Sequence, residues 1–300
     1  MYHIISKICF LFSLLPFRVL YIFSDILYFP LYYCIRYRRK ITRKNLLNAF
    51  PEKDLKTIIR IEKKFYSFFC DYMVETIKLF SISGKNIRKR MTFEGIEDVI
   101  KETGTDKSCI LILGHYCNWE WVTSIPLHLS DNSSFVFGQI YQPLQNNLFD
   151  RLFLKIRSRF NAQNIPRKSI LRSIAGLKKE NKQFVIGFIS DQTPQWHSDS
   201  RWIDFLNQDT RVFQGTEHIA RRTQSVVFYV DMKRIKRGYY NCKFVLLSAN
   251  PHELPEHVLT DLYFQHLEKT IRRDPPYWLW SHNRWKRPRK AIGDNLSNQN

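Results

Sequence analysis

Residues 109–121 read CILILGHYCNWEW, and the fold turns on how this stretch is parsed. Cys109–Leu113 is an unbroken apolar run, long enough for a buried strand and too short for a helix. Gly114 lets the backbone turn, and His115 follows at the mouth of that turn. Glu120 lies five residues further on. Five residues rotate a regular helix by about 140°, so the two side chains could not share a face if both were helical. They can meet if His115 sits on the loop and Glu120 in the first turn of the next helix. A carboxylate there accepts from the imidazole, fixes its tautomer and raises its basicity, which makes His115 a candidate general base. A capping or core histidine beside an unrelated surface glutamate fits the same spacing. Spacing alone leaves both readings open.

Around this stretch, 300 residues allow one large domain or two small ones. With 44% hydrophobic, 15% aromatic and 25% charged residues, the composition is globular with an aromatic tilt. The formal charge of +20 implies an anionic partner: nucleic acid, an acidic membrane surface, or an acidic protein or lipid. The six cysteines are scattered, without C-x-x-C or a Cys/His cluster. That argues against a disulfide framework or a zinc site, and for a reducing environment.

Residues 4–35 are apolar and aromatic, but Lys7, Arg18 and Asp25 interrupt any clean window of the ~20 residues a transmembrane helix needs. Pro16 and Pro30 would break or kink a single long helix. No small-residue cleavage site follows, so a cleaved signal peptide fits poorly. A basic cluster, Arg36, Arg38, Arg39, Lys40, Arg43 and Lys44, comes next. The expectation is a membrane anchor or interfacial segment over residues 1–40, its basic side toward anionic headgroups. The alternative is a pair of core helices with a solvated basic turn.

A helical pattern covers residues 41–80, with a start at Pro51–Asp54. A polar connection with one short helix follows over 81–108. Further strands are expected at 135–141, 184–190, 225–235 and 239–248, the last two joined as a hairpin across Lys236-Arg237-Gly238. Helices are expected near 148–160, 169–179, 213–223 and 259–273, and a long loop at 193–212. Asp191 and Gln192 directly follow a buried strand, where α/β folds place chemistry, although Asp191 could simply cap a turn. The fold class is therefore α/β, a mixed sheet flanked by helices, with the apolar segment in front. The domain expected over 41–289 is followed by a polar tail at 290–300.

Four blocks in this order resemble the bacterial lipid A late acyltransferases, a branch of the lysophospholipid-acyltransferase-like superfamily. They are His115 to Glu120 after a strand; Tyr141, Gln142, Pro143, Asn147, Asp150, Arg157 and Arg159; Asp191 with Gln192; and PPYWLWSHNRWK at 275–286. Gln142 stands where many members carry arginine, with Arg157 or Arg159 as possible compensation. The resemblance implies transfer of a fatty acyl chain from a thioester, on acyl carrier protein or coenzyme A, to a hydroxyl of a lipid A precursor. It implies an enzyme on the cytoplasmic face of the bacterial inner membrane, with no metal and no cofactor. His115 and Glu120 are then the catalytic pair, and Asn118, Tyr141, Arg157, Arg159, Asp191, Gln192 and Arg284 the candidates for substrate binding. Backbone N–H groups after Gly114, or an arginine, would meet the oxyanion. The basic surface would steer the carrier protein, the anionic acceptor and the membrane. Two readings stand beside this one: the same chemistry on a lysophospholipid or aminolipid acceptor, and a non-catalytic basic binder of membrane or nucleic acid. Against nucleic acid, the charge is dispersed and no zinc-finger, RNA-recognition or basic-heptad signature occurs.

Overall fold

The computed structural model describes residues 2–129, 135–195, 200–287 and 289; the expected tail at 290–300 lies outside them. Two apolar helices open the chain, α1 (Tyr2–Leu14) and α2 (Phe17–Phe29). The chain bends by 114° between them at Pro16, whose ring cannot continue α1. Pro30 does not break α2. It instead opens one turn of π-helix, Pro30–Cys34, in which Ile35 N–H donates to the Pro30 carbonyl at 2.8 Å. Among the described residues, no single helix is long and apolar enough to cross a membrane.

After the basic turn come α3 (Arg39–Ala49) and the long α4 (Leu55–Lys78). Asp54 caps α4 by accepting from Thr57 N–H at 3.0 Å, as the Pro51–Asp54 start predicts. The buried face of α4 carries Ile58, Ile61, Phe65 and Phe68, but also Glu62, Asp71 and Glu75. Each of these carboxylates is paired, as burial of charge requires. Glu62 takes Arg43 and the Tyr32 hydroxyl. Asp71 takes Ser24, Arg234 and Arg237. The polar contacts thus fasten the N-terminal helices to α4.

Next come α5 (Gly84–Arg90), β1 (Met91–Glu94) and α6 (Ile96–Thr103). The polar connection expected here therefore holds a helix and an edge strand as well, both too short to show a hydrophobic period. The remaining elements are β2 (Cys109–Leu113), β3 (Val136–Tyr141), α7 (Asn147–Arg157), β4 (Gln163–Pro166), α8 (Ile170–Lys179) and β5 (Phe184–Ile189). They are followed by β6 (Ser200–Asp204), β7 (Asp209–Phe213), α9 (Gly215–Thr223), β8 (Val226–Lys236), β9 (Tyr239–Ser248) and α10 (Val258–Arg273).

The main sheet has the order β1-β9-β8-β2-β5-β3-β4. Its neighbours run parallel except the β8–β9 hairpin. This is the mixed, helix-flanked α/β sheet expected. Strand β2 lies at its centre with all five residues buried, which is why it carries no polar alternation. The hairpin turns at Gly238, where φ is +71°. The loop expected at 193–212 contains instead an antiparallel ribbon, β6–β7, whose turn residues Phe205 and Leu206 are fully buried. Residues 196–199 of that loop lie outside the described set.

Candidate active site

Strands β2 and β5 run side by side in parallel, with Leu113 opposite Ile189. Two residues beyond each end, this register brings His115 and Asp191 face to face at the carboxyl edge of the sheet, where α/β folds place reacting groups. The His115 Nδ1 lies 2.6 Å from Asp191 Oδ1. Asp191 Oδ2 accepts from the His115 backbone N–H and from the Trp278 indole N–H, both at 2.8 Å. A carboxylate at Nδ1 holds the proton there and leaves Nε2 as the basic nitrogen. Gln192 places its amide nitrogen 3.2 Å from that Nε2.

The dyad is seated tightly. Burial by itself would raise the Asp191 carboxyl, but the His115 ring, the Trp278 indole and the His115 amide outweigh it and hold the group at about 2. A Cβ at Gly114 would come within 2.6 Å of a Leu267 methyl and 3.3 Å of Asp191 Oδ2. Close approach of α10 is why glycine stands there. The 275–286 block closes the other side: Leu279 N–H donates to the His115 carbonyl at 3.0 Å, and Cys117 N–H to the Tyr277 carbonyl at 2.9 Å. The Trp119 ring meets the imidazole edge-on at 5.1 Å between centroids.

Glu120 is not the partner of His115. The chain after Asn118 enters a 3-10 helix, Trp119–His128, rather than an α-helix. Its tighter winding aims the Glu120 carboxylate at Arg157 on α7, which grips it through Nε at 2.7 Å and Nη2 at 2.5 Å. Both are largely buried, Glu120 at 3% and the Arg157 side chain at 21% exposure. The pair lines a cavity of about 70 Å³ whose other walls, apart from Thr123 and Gln139, are largely apolar, among them Leu111, Leu113, Ile125, Phe137 and Val185. Gly187 lies in that wall, and only Gly138 O and a Leu113 methyl come within 4 Å of where its Cβ would be. The cavity exists in part because residue 187 has no side chain.

The other candidates divide. Tyr141 and Gln192 line a second cavity on the far side of Ile140 and Ile189. Asn118 is fully buried and donates to Glu75 at 2.7 Å, so it braces the turn instead of meeting solvent. Arg284, 1% exposed, donates to the Arg211 carbonyl at 2.6 Å and packs the ribbon against the site. Burial lowers its guanidinium to about 10, which leaves it charged at neutral pH. Arg159 donates to the Leu79 carbonyl and stacks near Phe160. Of the backbone donors expected after Gly114, the first three are engaged. The N–H of His115 goes to Asp191, that of Tyr116 to Gly114 O and that of Cys117 to Tyr277 O. Trp278 is the site residue that the sequence did not single out, because an indole suits core packing equally well. Its place in the 275–286 block was the available signal.

A His–Asp dyad thus stands on the carboxyl edge of a mixed α/β sheet, beside a largely apolar cavity. The description of the bacterial lipid A biosynthesis acyltransferases matches residues 2–287, and the chain belongs to that family. It is an acyltransferase acting in lipid A biosynthesis. The lipid A biosynthesis palmitoleoyltransferase of Escherichia coli (strain K12) is 22% identical over 253 residues, which cover 84% of this chain and 80% of that protein. The lipid A biosynthesis acyltransferase of Shigella flexneri is likewise 22% identical over 253 residues, with the same 84% and 80% coverage.

Proposed function

We propose that the protein transfers a fatty acyl chain from an acyl thioester, on acyl carrier protein or coenzyme A, to a hydroxyl of a lipid A precursor. The observation that carries the reading is the His115–Asp191 contact at 2.6 Å, which leaves Nε2 as the base. A hydroxyl is too weak an acid to ionise at neutral pH, so its proton must leave during attack. Nε2 takes that proton as the oxygen bonds to the thioester carbon. The imidazolium that forms is stabilised by Asp191. Collapse of the tetrahedral intermediate breaks the C–S bond, and the leaving thiolate takes the proton from Nε2, which restores the neutral imidazole.

With the His115, Tyr116 and Cys117 amides engaged, the side-chain donor to the oxyanion is Arg157. Its Nε and Nη2 hold Glu120, and its Nη1 is free to point at the developing charge. Glu120 is then a positioning residue. The first few methylenes of the acyl chain enter the cavity that Gly187 helps to line. The test is mass spectrometry of lipid A from cells lacking this chain, complemented with wild type, His115→Ala or Gly187→Val. Loss of one acyl chain, restored by wild type and not by His115→Ala, is the expected result. Gly187→Val fills the cavity and lowers the amount of acyl chain restored. A different lipid losing its chain would move the acceptor to a lysophospholipid or aminolipid.

The N-terminal helices seat the enzyme in the membrane interface. Ile4, Ile8, Leu11, Ile22, Ile26 and Phe29 are each more than half exposed, and the basic turn at 36–44 follows directly. This arrangement suits the cytoplasmic face of an inner membrane, with apolar side chains among acyl tails and arginines at anionic headgroups. Membrane pellets washed in 1 M salt should retain the protein, since apolar burial is not screened. Complete extraction would sink the interfacial anchor.

A further inference from the structure

The second cavity, about 350 Å³, is bounded by Tyr141, Gln142, Arg167, Ser190, Gln192 and Thr216 together with apolar side chains. No carboxylate is among its lining residues. Arg167 stacks on Phe213, its guanidinium carbon 4.7 Å from the ring centroid, and makes no ion pair among the described residues. A guanidinium held over an aromatic ring, with N–H groups that no described residue takes, can meet a two-pronged oxyanion. The first residue of α8, Ile170, and the second of α9, Thr216, also lie in the wall, so the positive ends of two helices add to the same potential. The cavity opens beside the reacting nitrogen. Gln192 is both a wall residue and the neighbour of His115 Nε2 at 3.2 Å. Arg157 and Arg159, the cations that could have stood in for an arginine at Gln142, are bound to Glu120 and Leu79 O instead.

We infer that this cavity is a phosphate subsite of the transferase, with Arg167 as its cation and Gln142, Gln192 and Thr216 as neutral hydrogen-bonding partners. The inference rests on the acyl-transfer reading above, because both substrates of that reaction offer phosphate. A carrier-bound donor has the phosphodiester of its pantetheine arm, and the acceptor has a sugar phosphate. A phosphate held on one side of Gln192, with the acyl chain in the apolar cavity across Ile140 and Ile189, would place the reacting carbonyl or hydroxyl near His115.

The experiment compares wild type with Arg167→Met and Arg167→Lys, using purified protein in mixed micelles. Steady-state transfer is measured with acyl carrier protein donor or acyl-pantetheine lacking phosphate, and with acceptor bearing or lacking its phosphates. The expected result is a KM raised roughly 10- to 100-fold in Arg167→Met for one substrate, a smaller fall in kcat, and partial recovery in Arg167→Lys. The penalty should vanish when that substrate lacks phosphate. Loss of the penalty with acyl-pantetheine assigns the subsite to the donor, and loss with dephosphorylated acceptor assigns it to the acceptor. A penalty unchanged by removing both phosphates, or no penalty at all, overturns the subsite. Calorimetric titration with inorganic phosphate separates the two claims. If wild type transfers nothing yet binds phosphate at least tenfold more tightly than Arg167→Met, the reaction is wrong and the subsite stands. Equal phosphate binding by both proteins, with or without transfer, counts against the subsite.

Discussion

Asp191→Asn should lower kcat by about two to four orders of magnitude while leaving the fold intact. The reason is which way the new amide must face. Two N–H donors, the His115 amide and the Trp278 indole, converge on Asp191 Oδ2, whereas one ring nitrogen meets Oδ1. The asparagine oxygen therefore turns toward the pair of donors and its NH2 toward Nδ1. A donor at Nδ1 forces the proton onto Nε2, and the imidazole becomes the tautomer that cannot act as a base. His115→Ala should cost as much, and the double variant no more than either single one, because the two residues act as one unit. Additive losses would show that they work separately.

The same variant has a stability signature. The native Asp191 carboxyl is held at about 2, below its ordinary value of 3.8, so it contributes stability fully above the ordinary value. That contribution is lost as pH falls from about 3.8 through about 2. Melting temperatures of wild type and Asp191→Asn should therefore converge in that acid range. Glu120→Gln provides the contrast. It leaves the Arg157 guanidinium buried without its counter-charge, at a cost on the order of 3–5 kcal/mol, so it should melt early at neutral pH. Both variants should therefore melt earlier than wild type at neutral pH, and convergence with wild type in acid is the mark of Asp191→Asn.

The pairing of these residues shows where a sequence can be read and where it stops. CILIL announces a two-sided buried strand, and the polar residues after it and after the strand ending at Ile189 mark both halves of the dyad. What joins them is the β2–β5 register across 76 residues of chain. Spacing sees only near neighbours, so it gave His115 the nearest carboxylate, Glu120. Rotation along the turn decided otherwise, because a 3-10 winding and an α-helical one send the sixth residue of the motif in different directions. Arg284 misled for another reason. A basic residue in a motif suggests a substrate anion, while its burial beneath the ribbon is a tertiary fact. Strands β1 and β4 are four residues each, too short for any alternation to register.

Glu75→Ala should impair both stability and turnover, while Glu75→Gln should preserve both and change the pH profile. Glu75 is fully buried on α4 and sits where three parts of the molecule meet. Its Oε1 accepts from Tyr21 of α2 at 2.8 Å, and its Oε2 from Tyr240 of β9 and Asn118 of the His115 turn, both at 2.7 Å. Its backbone carbonyl accepts from the Trp121 indole at 3.1 Å. The apolar N-terminal helices are thus linked through one carboxyl to the turn that carries His115. Alanine strands three buried donors at about 1–3 kcal/mol each and loosens Asn118, so kcat falls along with the melting temperature. Glutamine keeps the network: Tyr21 still donates to the amide oxygen, and the amide NH2 reaches the Tyr240 oxygen and Asn118 Oδ1, which has no partner among the described residues in wild type. Burial, with Asp71 adding to it, pushes the Glu75 carboxyl up to about 7 despite the three donors. Arg234 is the cation that interacts with it electrostatically. A raised carboxyl binds its proton more tightly folded than unfolded, so its contribution is fully present below about 4.5 and is lost as pH rises through about 7. Wild type should lose up to about 3 kcal/mol across that window and Glu75→Gln should not, which denaturant titrations at pH 5 and pH 8 will measure. Parallel pH profiles for the two proteins would mean that Glu75 is ionised throughout and that the link from the N-terminal helices to the catalytic turn runs through a carboxylate, not a shared proton.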